Sequence, residues 1–334
     1  MFNTSHVALS PQPLRALIWR VCFGTAFLLP LSGCATMNLN KLTITSMAAS
    51  VPKGPSIAPG EKFPLLVTMT QPDGKVLSTE DEAEERISWK DLDVAASVVT
   101  VDKKGNVSLS ADPRLSDGQL PHVIITVPSH PDLRAEFDIP VRYDRKFSAN
   151  FQGSSGFSGL DGASGHDGSS GSPGSFDPDH PVAGGNGGDG TNGSDGEDGK
   201  PGSDGPPVQV RVALRSGSHP LLQVGVFAQN KQKFFLVDPQ GGFLVVTSEG
   251  GSGGSGGRGG RGGRGGSGGA GSPPGRSGSD GLSGHDGRSG WSGNGGSITV
   301  TCDPEAKPFL FAIRLSNPGG PRPVFKEEPV DRLW

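Results

Sequence analysis

Glycine recurs at every third residue through two long stretches of this chain, and that period limits what the chain can become. The first run is Gly153, Gly156, Gly159, Gly162, Gly165, Gly168, Gly171 and Gly174; the second goes by threes from Gly184 to Gly205, the third from Gly250 to Gly271 and the fourth from Gly275 to Gly296. Runs of equal length in two pairs are a repeat architecture, not a compositional bias. The break inside each pair reads as a turn: residues 175–183 contain Pro178 and Pro181, and Ser272-Pro273-Pro274 separates the last two runs. Proline fixes φ and suits a reversal. A three-residue period with one bare edge belongs to the extended helix of three residues per turn, which has no internal hydrogen bonds. Its N–H and C=O groups must find water or a neighbouring helix.

Three architectures share this period. The runs resemble collagen-like repeats, in which three chains wind around a glycine axis, although prolines are few: Pro173, Pro201, Pro206 and Pro207 are nearly the whole supply. They also resemble polyglycine-II bundles, in which three-fold helices of one chain lie side by side and bare edges admit N–H···O=C and Cα–H···O contacts. Two hairpins with equal legs fit that arrangement better than a trimer. The third architecture is a flexible Gly/Ser linker, which accounts for the composition but not the register. Most triplets of the third run carry two glycines, as in Gly256-Gly257-Arg258, so that leg has two bare edges and fits between two neighbours.

Charge follows the same period. Asp189, Asp195, Asp198 and Asp204 take the third place of their triplets, as do Arg258, Arg261 and Arg264. A three-per-turn helix puts each set on one edge, so both are candidate interaction edges. They can dock the hairpins on each other, join one molecule to another, or simply keep a glycine-rich surface solvated.

Residues 1–33 read as an export signal, with Arg15 and Arg20, no acid before Cys34, and an apolar core at 21–31 too short to span a bilayer. The signal ends in Leu31-Ser32-Gly33-Cys34, which resembles the lipobox of bacterial lipoproteins. The resemblance implies cleavage before Cys34, acylation of that cysteine, and a tether at 34–40. In that family Asp after the cysteine retains the protein in the inner membrane; Ala35 stands here, implying an outer-membrane anchor with several acyl chains. Whether the periplasmic or the external face displays the chain stays open. Loss of Arg15 and Arg20 with the signal takes the formal charge from −4 to −6. Cys22 leaves with the signal and Cys34 is the lipid site, so only Cys302 remains and no internal disulfide is available.

The rest of the chain is mainly β. Residues 41–147 alternate or run apolar between turn signals, with strands expected at 42–47, 65–70, 87–90, 97–101, 106–110, 122–127 and 136–143. Ala58-Pro59-Gly60-Glu61, Ile87-Ser88-Trp89 and the stretch from Val99 to Val107 through Lys104-Gly105 resemble bacterial Ig-like domains of the invasin and intimin type. That resemblance implies a β-sandwich with Trp89 in its core and a spacer role in surface display; the acidic insert at 80–85 departs from the family pattern. A second small β domain is expected over 206–248 and 297–316, with the 250–296 hairpin inserted between its strands and Cys302 facing inward. In an alternative arrangement each sheet caps the glycine bundle. Residues 317–334 read as a loose, Pro-rich tail.

No enzymatic constellation emerges. His166-Asp167 and His285-Asp286 occupy matching Ser-Gly-His-Asp-Gly contexts, one per hairpin, and are weak candidates for a divalent metal, against internal duplication and solvation. Calcium on the Asp edge is a second weak candidate. The glycine runs lack the Lys-Ser/Thr of a phosphate loop, and the chain is acidic and exported, which argues against nucleic acid. The charged edges argue against the flat small-residue face that ice binding needs. The expected role is therefore non-enzymatic: a structural or adhesive outer-membrane lipoprotein that meets envelope or matrix components or its own copies. The alternative is a metal- or glycan-binding module built on the bundle edges.

Overall fold

The computed structural model of the protein describes residues 39–80, 86–217 and 219–334. The signal, Cys34 and most of the tether lie outside the described residues, as does 81–85 of the acidic insert. What is described is mainly β, in two units.

The first unit contains β1 (Ser46–Ser50), β2 (Lys62–Pro64), β3 (Leu66–Thr70), β4 (Val76–Ser78), β5 (Asp93–Ser97), β6 (Val99–Val101), β7 (Asn106–Leu109), β8 (His122–Val127) and β9 (His130–Asp138). They form three antiparallel sheets, β1-β3-β4, β2-β7-β6 and β5-β8-β9. Every second residue of β8 is buried, and Val123, Ile125 and Val127 join Ile57, Val67, Met69 and Val107 in one core. Period-two alternation thus becomes one apolar face per sheet.

Three strand expectations need correction. The strand expected at 42–47 lies later, as β1, and residues 42–45 are not strand. Residues 87–90 are not a strand: Ile87 is buried, but Ser88 Oγ accepts from the Lys90 N–H (3.3 Å) and caps a single 3-10 turn at Trp89–Asp91. A serine that bonds its own backbone competes with a ladder. The strand expected at 136–143 lies earlier, as β9, and ends before Pro140, which has no N–H to give. The β6–β7 hairpin turns at Lys104-Gly105 as expected. Gly105 sits at φ +76°, and a Cβ there would fall inside the indole of Trp89. Trp89 is half-buried at the rim of the core, where it covers this turn.

The second unit is β10 (Lys146–Gln152), β11 (Val208–Arg215), β12 (Leu221–Ala228), β13 (Lys231–Val237), β14 (Phe243–Glu249), β15 (Ile298–Cys302), β16 (Ile313–Ser316) and β17 (Val324–Glu327). One sheet is β10-β14-β16, all parallel; the other is β13-β12-β11-β15-β17. Phe147, Ala149 and Phe151 of β10, Leu244 and Val246 of β14, and Val208, Val210, Val224, Ile298, Val300 and Cys302 of the second sheet share one core. The boundary expected at residue 147 falls inside β10, which pairs with β14 and belongs to this unit. Alternation at Phe147, Ala149 and Phe151 marked it, but the glycine run that follows hid the strand end.

Apolar residues alternate at Phe309, Phe311, Ile313 and Leu315, yet only the last two lie in a strand. Asp303 caps a 3-10 stretch at Pro304–Ala312, its side chain accepting from the Glu305 N–H, and Phe311 is exposed. The tail is not loose: β17 pairs with β15. Trp334 Nε1 donates to Asp117 Oδ2 (3.0 Å), and the indole meets Phe234 edge-on at 5.8 Å.

Candidate interaction surface

The four glycine runs leave the second unit as direct extensions of its strands. The first leg (residues 153–174) continues β10, and the third (250–271) continues β14; the second (184–205) leads into β11, and the fourth (275–296) into β15. β10 and β14 are parallel with Gln152 opposite Glu249, and the next bonds simply carry on, Gly153 N–H to Glu249 O (2.9 Å) and Gly156 N–H to Ser252 O (2.8 Å). The same continuity joins β11 and β15 to the other two legs: Gly205 N–H donates to Asn294 O and Val208 N–H to Ser297 O, both at 2.8 Å. The sandwich core therefore sets the register of the legs.

Each leg meets its neighbours through backbone. The first leg donates from every triplet glycine to the third leg or the residue before it, in parallel, between 2.6 and 2.9 Å, and from Gly187 onward the second donates likewise to the fourth. Antiparallel bonds join second to first (Ser194 N–H to Ala163 O, 2.9 Å), third to second (Gly260 N–H to Ser194 O, 2.9 Å) and fourth to third (Gly284 N–H to Gly260 O, 2.8 Å). Among the described residues no backbone bond joins first to fourth. Five contacts among four rods make a rhombus in cross-section, with the second and third legs on its short diagonal. The leg with two bare edges is one of this central pair. A Cβ on Gly260 would fall on the Ala163 carbonyl oxygen, and one on Gly193 would fall on that of Gly260.

The Asp edge is spent inside this lattice. Asp189, Asp195, Asp198 and Asp204 accept through Oδ1 from the main-chain N–H groups of Ser279, His285, Arg288 and Asn294, between 2.6 and 2.7 Å. Asn186 and Asn192 do the same for Arg276 (2.9 Å) and Leu282 (2.8 Å). Asn and Asp alternate in one role, so the role is acceptor geometry and not charge. This period of Asx acceptors was legible as spacing, but charge obscured its meaning. Replacing Asp195 by alanine is expected to destabilise the chain by about 1 kcal/mol, while Asp195→Asn leaves stability within about 0.5 kcal/mol. Urea melts of the two variants check this.

The Arg edge is exposed on the third leg. Arg258 and Arg264 give their main-chain N–H groups to Asp161 and Asp167 of the first leg, both at 2.7 Å. Among the described residues no ion pair joins the Arg edge to the Asp edge, and the hairpins associate through backbone bonds and Asx side chains that accept from backbone. The two His-Asp pairs do not converge. His166 and Asp167 lie on the first leg, His285 and Asp286 on the fourth, and Asp286 Oδ1 accepts from the Gly259 N–H at 2.8 Å. Among the described residues no group of three or more His, Cys, Asp or Glu side chains could hold a metal ion. Cys302 is buried in the second core, and burial above all pushes its thiol up from the usual range.

Large apolar side chains stand outside the lattice. Phe157 and Leu160 on the first leg are 82% and 68% exposed, and Trp291 on the fourth is 85% exposed. The second unit is braced against the first away from the legs: Arg215 pairs with Asp117, the Arg114 guanidinium lies 3.9 Å over the Phe234 ring, and burial beside Asp117 raises the Tyr143 hydroxyl to about 12. No protein-family model matches this chain, and no curated protein is similar to it in sequence.

Proposed function

We propose that this chain is a non-enzymatic lipoprotein of a bacterial outer membrane, in which an Ig-like spacer carries a polyglycine-II rod with a structural or adhesive role. The observation that supports it best is the shared register of strands and legs. The strands run into four legs bonded to one another within the chain, and each leg of 22 residues reaches on the order of 70 Å at about 3.1 Å per residue. Such a rod holds its tip loop, with Phe176 exposed, far from the strands of the second unit. Extension and exposed side chains suit contact.

Cys34→Ala is the direct test of the anchor. The expected result is loss of acyl labelling and movement of the chain from the outer-membrane fraction to the soluble fraction. A wild-type chain that is already soluble and unlabelled would contradict the reading. A second reading, a binding module on the bundle edges, is favoured by the exposed aromatic residues.

A further inference from the structure

The acceptor ladder between the second and fourth legs fails at one level, and aromatic side chains gather there. In register, the N–H groups of Arg276, Ser279, Leu282, His285, Arg288 and Asn294 each find an Asn or Asp of the second leg. Between Arg288 and Asn294 the residue is Trp291, and its partner position holds Pro201, which offers no side-chain acceptor. The Trp291 N–H therefore has no partner among the described residues. On the other side of the second leg, Lys200 N–H donates to Phe157 O (2.8 Å), and Gly202 N–H donates to Trp291 O (2.9 Å). Phe157 and Trp291 thus flank Lys200-Pro201 at the same height on the rod. The Phe157 N–H also lacks a partner among the described residues.

Two nearly naked aromatic rings cost solvation that scattered polar residues would not. The pair sits on backbone already fixed by the lattice, so binding there orders little more than side chains. Lys200 is the one cation of the first hairpin, while Asp198 and Asp204 on either side each accept through one oxygen only. The level therefore offers two π faces, an ammonium donor, a free N–H and free carboxylate oxygens. A pyranose ring has the matching chemistry: C–H groups on one face to lie against an electron-rich ring, and hydroxyls at the rim that both donate and accept.

We propose that Phe157, Lys200, Pro201 and Trp291 form a saccharide-binding subsite that takes a pyranose unit of an envelope or matrix polysaccharide. This rests on the adhesive reading and names its partner class. A protein partner is disfavoured because the ammonium of Lys200 stands beside Pro201 between the two rings and interrupts the apolar surface.

The test is calorimetric titration of the full lipidated chain in detergent with cellohexaose and chitohexaose, repeated for Trp291→Ala, Phe157→Ala and Leu282→Ala. Leu282 is an exposed residue of the same leg away from this level. Binding of at least one hexamer, weakened about tenfold by either aromatic substitution and unchanged by Leu282→Ala, is expected. Pro201→Asp, which restores the missing acceptor, should raise the melting temperature yet weaken binding. All four substitutions alter exposed positions, so unchanged or higher melting temperatures confirm that the fold is intact. Absence of binding to both hexamers, or equal affinity in Trp291→Ala, overturns the subsite. If cells still adhere through the wild-type chain in that case, the adhesive reading survives; if they do not, both fall.

Discussion

Gly260→Ala is expected to destabilise the rod by about 3 kcal/mol or more, although glycine-to-alanine changes at unstrained positions usually stabilise by restricting the unfolded chain. The added Cβ would fall on the carbonyl oxygen of Ala163, which belongs to rigid backbone and cannot rotate away. The first and third legs must part, and the bonds between them at this height go with them: Gly159 N–H to Ser255 O (2.8 Å), Gly162 N–H to Arg258 O (2.7 Å) and Gly165 N–H to Arg261 O (2.7 Å). Three backbone bonds at about 1 kcal/mol each set the scale. Ser255→Ala, on the outward edge of the same leg, removes only a hydroxyl contact to Ser158 and should change stability by less than about 0.5 kcal/mol. Chemical denaturation of the two variants, followed by circular dichroism, gives the comparison. Equal effects would mean that the inner glycines are not in close contact.

Leu244→Ala should cost about 2–5 kcal/mol, the usual range for emptying a buried leucine site. Leu244 is fully buried on β14, between the two sheets of the second unit. The informative result is which signals fall together. Because β10, β11, β14 and β15 run into the four legs without a break in register, the far-ultraviolet signal of the legs should melt with that of the sandwich, in one transition shifted down. Legs that melt at an unchanged temperature would show that the lattice stands without its template. Gly260→Ala disturbs the rod from outside the sandwich and Leu244→Ala disturbs the sandwich from outside the rod, so the pair tests the coupling from both ends.

The glycine period made the number and length of the runs legible, but it left a trimer, a bundle and a linker open, and only the backbone bonds between runs show which run lies beside which. The doubly bare third run likewise indicated a leg with neighbours on more than one side. What the sequence concealed was which carboxylates are solvent charges and which are hydrogen-bond acceptors. Asp195 and Asn192 differ in charge yet do one job, and only the pairing of the second leg with the fourth shows it. The β strands were legible where alternation was uninterrupted, as in β8 and β11. They were misplaced where side chains bond their own backbone, as Ser88 and Asp303 do, because such caps act within two residues and leave the apolar pattern untouched. β17 was missed since its four residues are all exposed and its partner β15 is distant in sequence. The Pro201–Trp291 lapse was visible only once the legs were in register.

The glycine runs form a lattice within a single chain. Amide hydrogen exchange combined with sedimentation equilibrium, on the chain from Ala35 onward, measures it most directly. The predicted result is a monomer in which the N–H groups of Gly254, Gly257, Gly260 and Gly263, all bonded to the second leg at 2.9 Å, exchange slowly. The Trp291 N–H, with no acceptor, should exchange fast. A trimer whose protection is lost on dissociation, or a monomer whose glycine amides all exchange at unprotected rates, would contradict it.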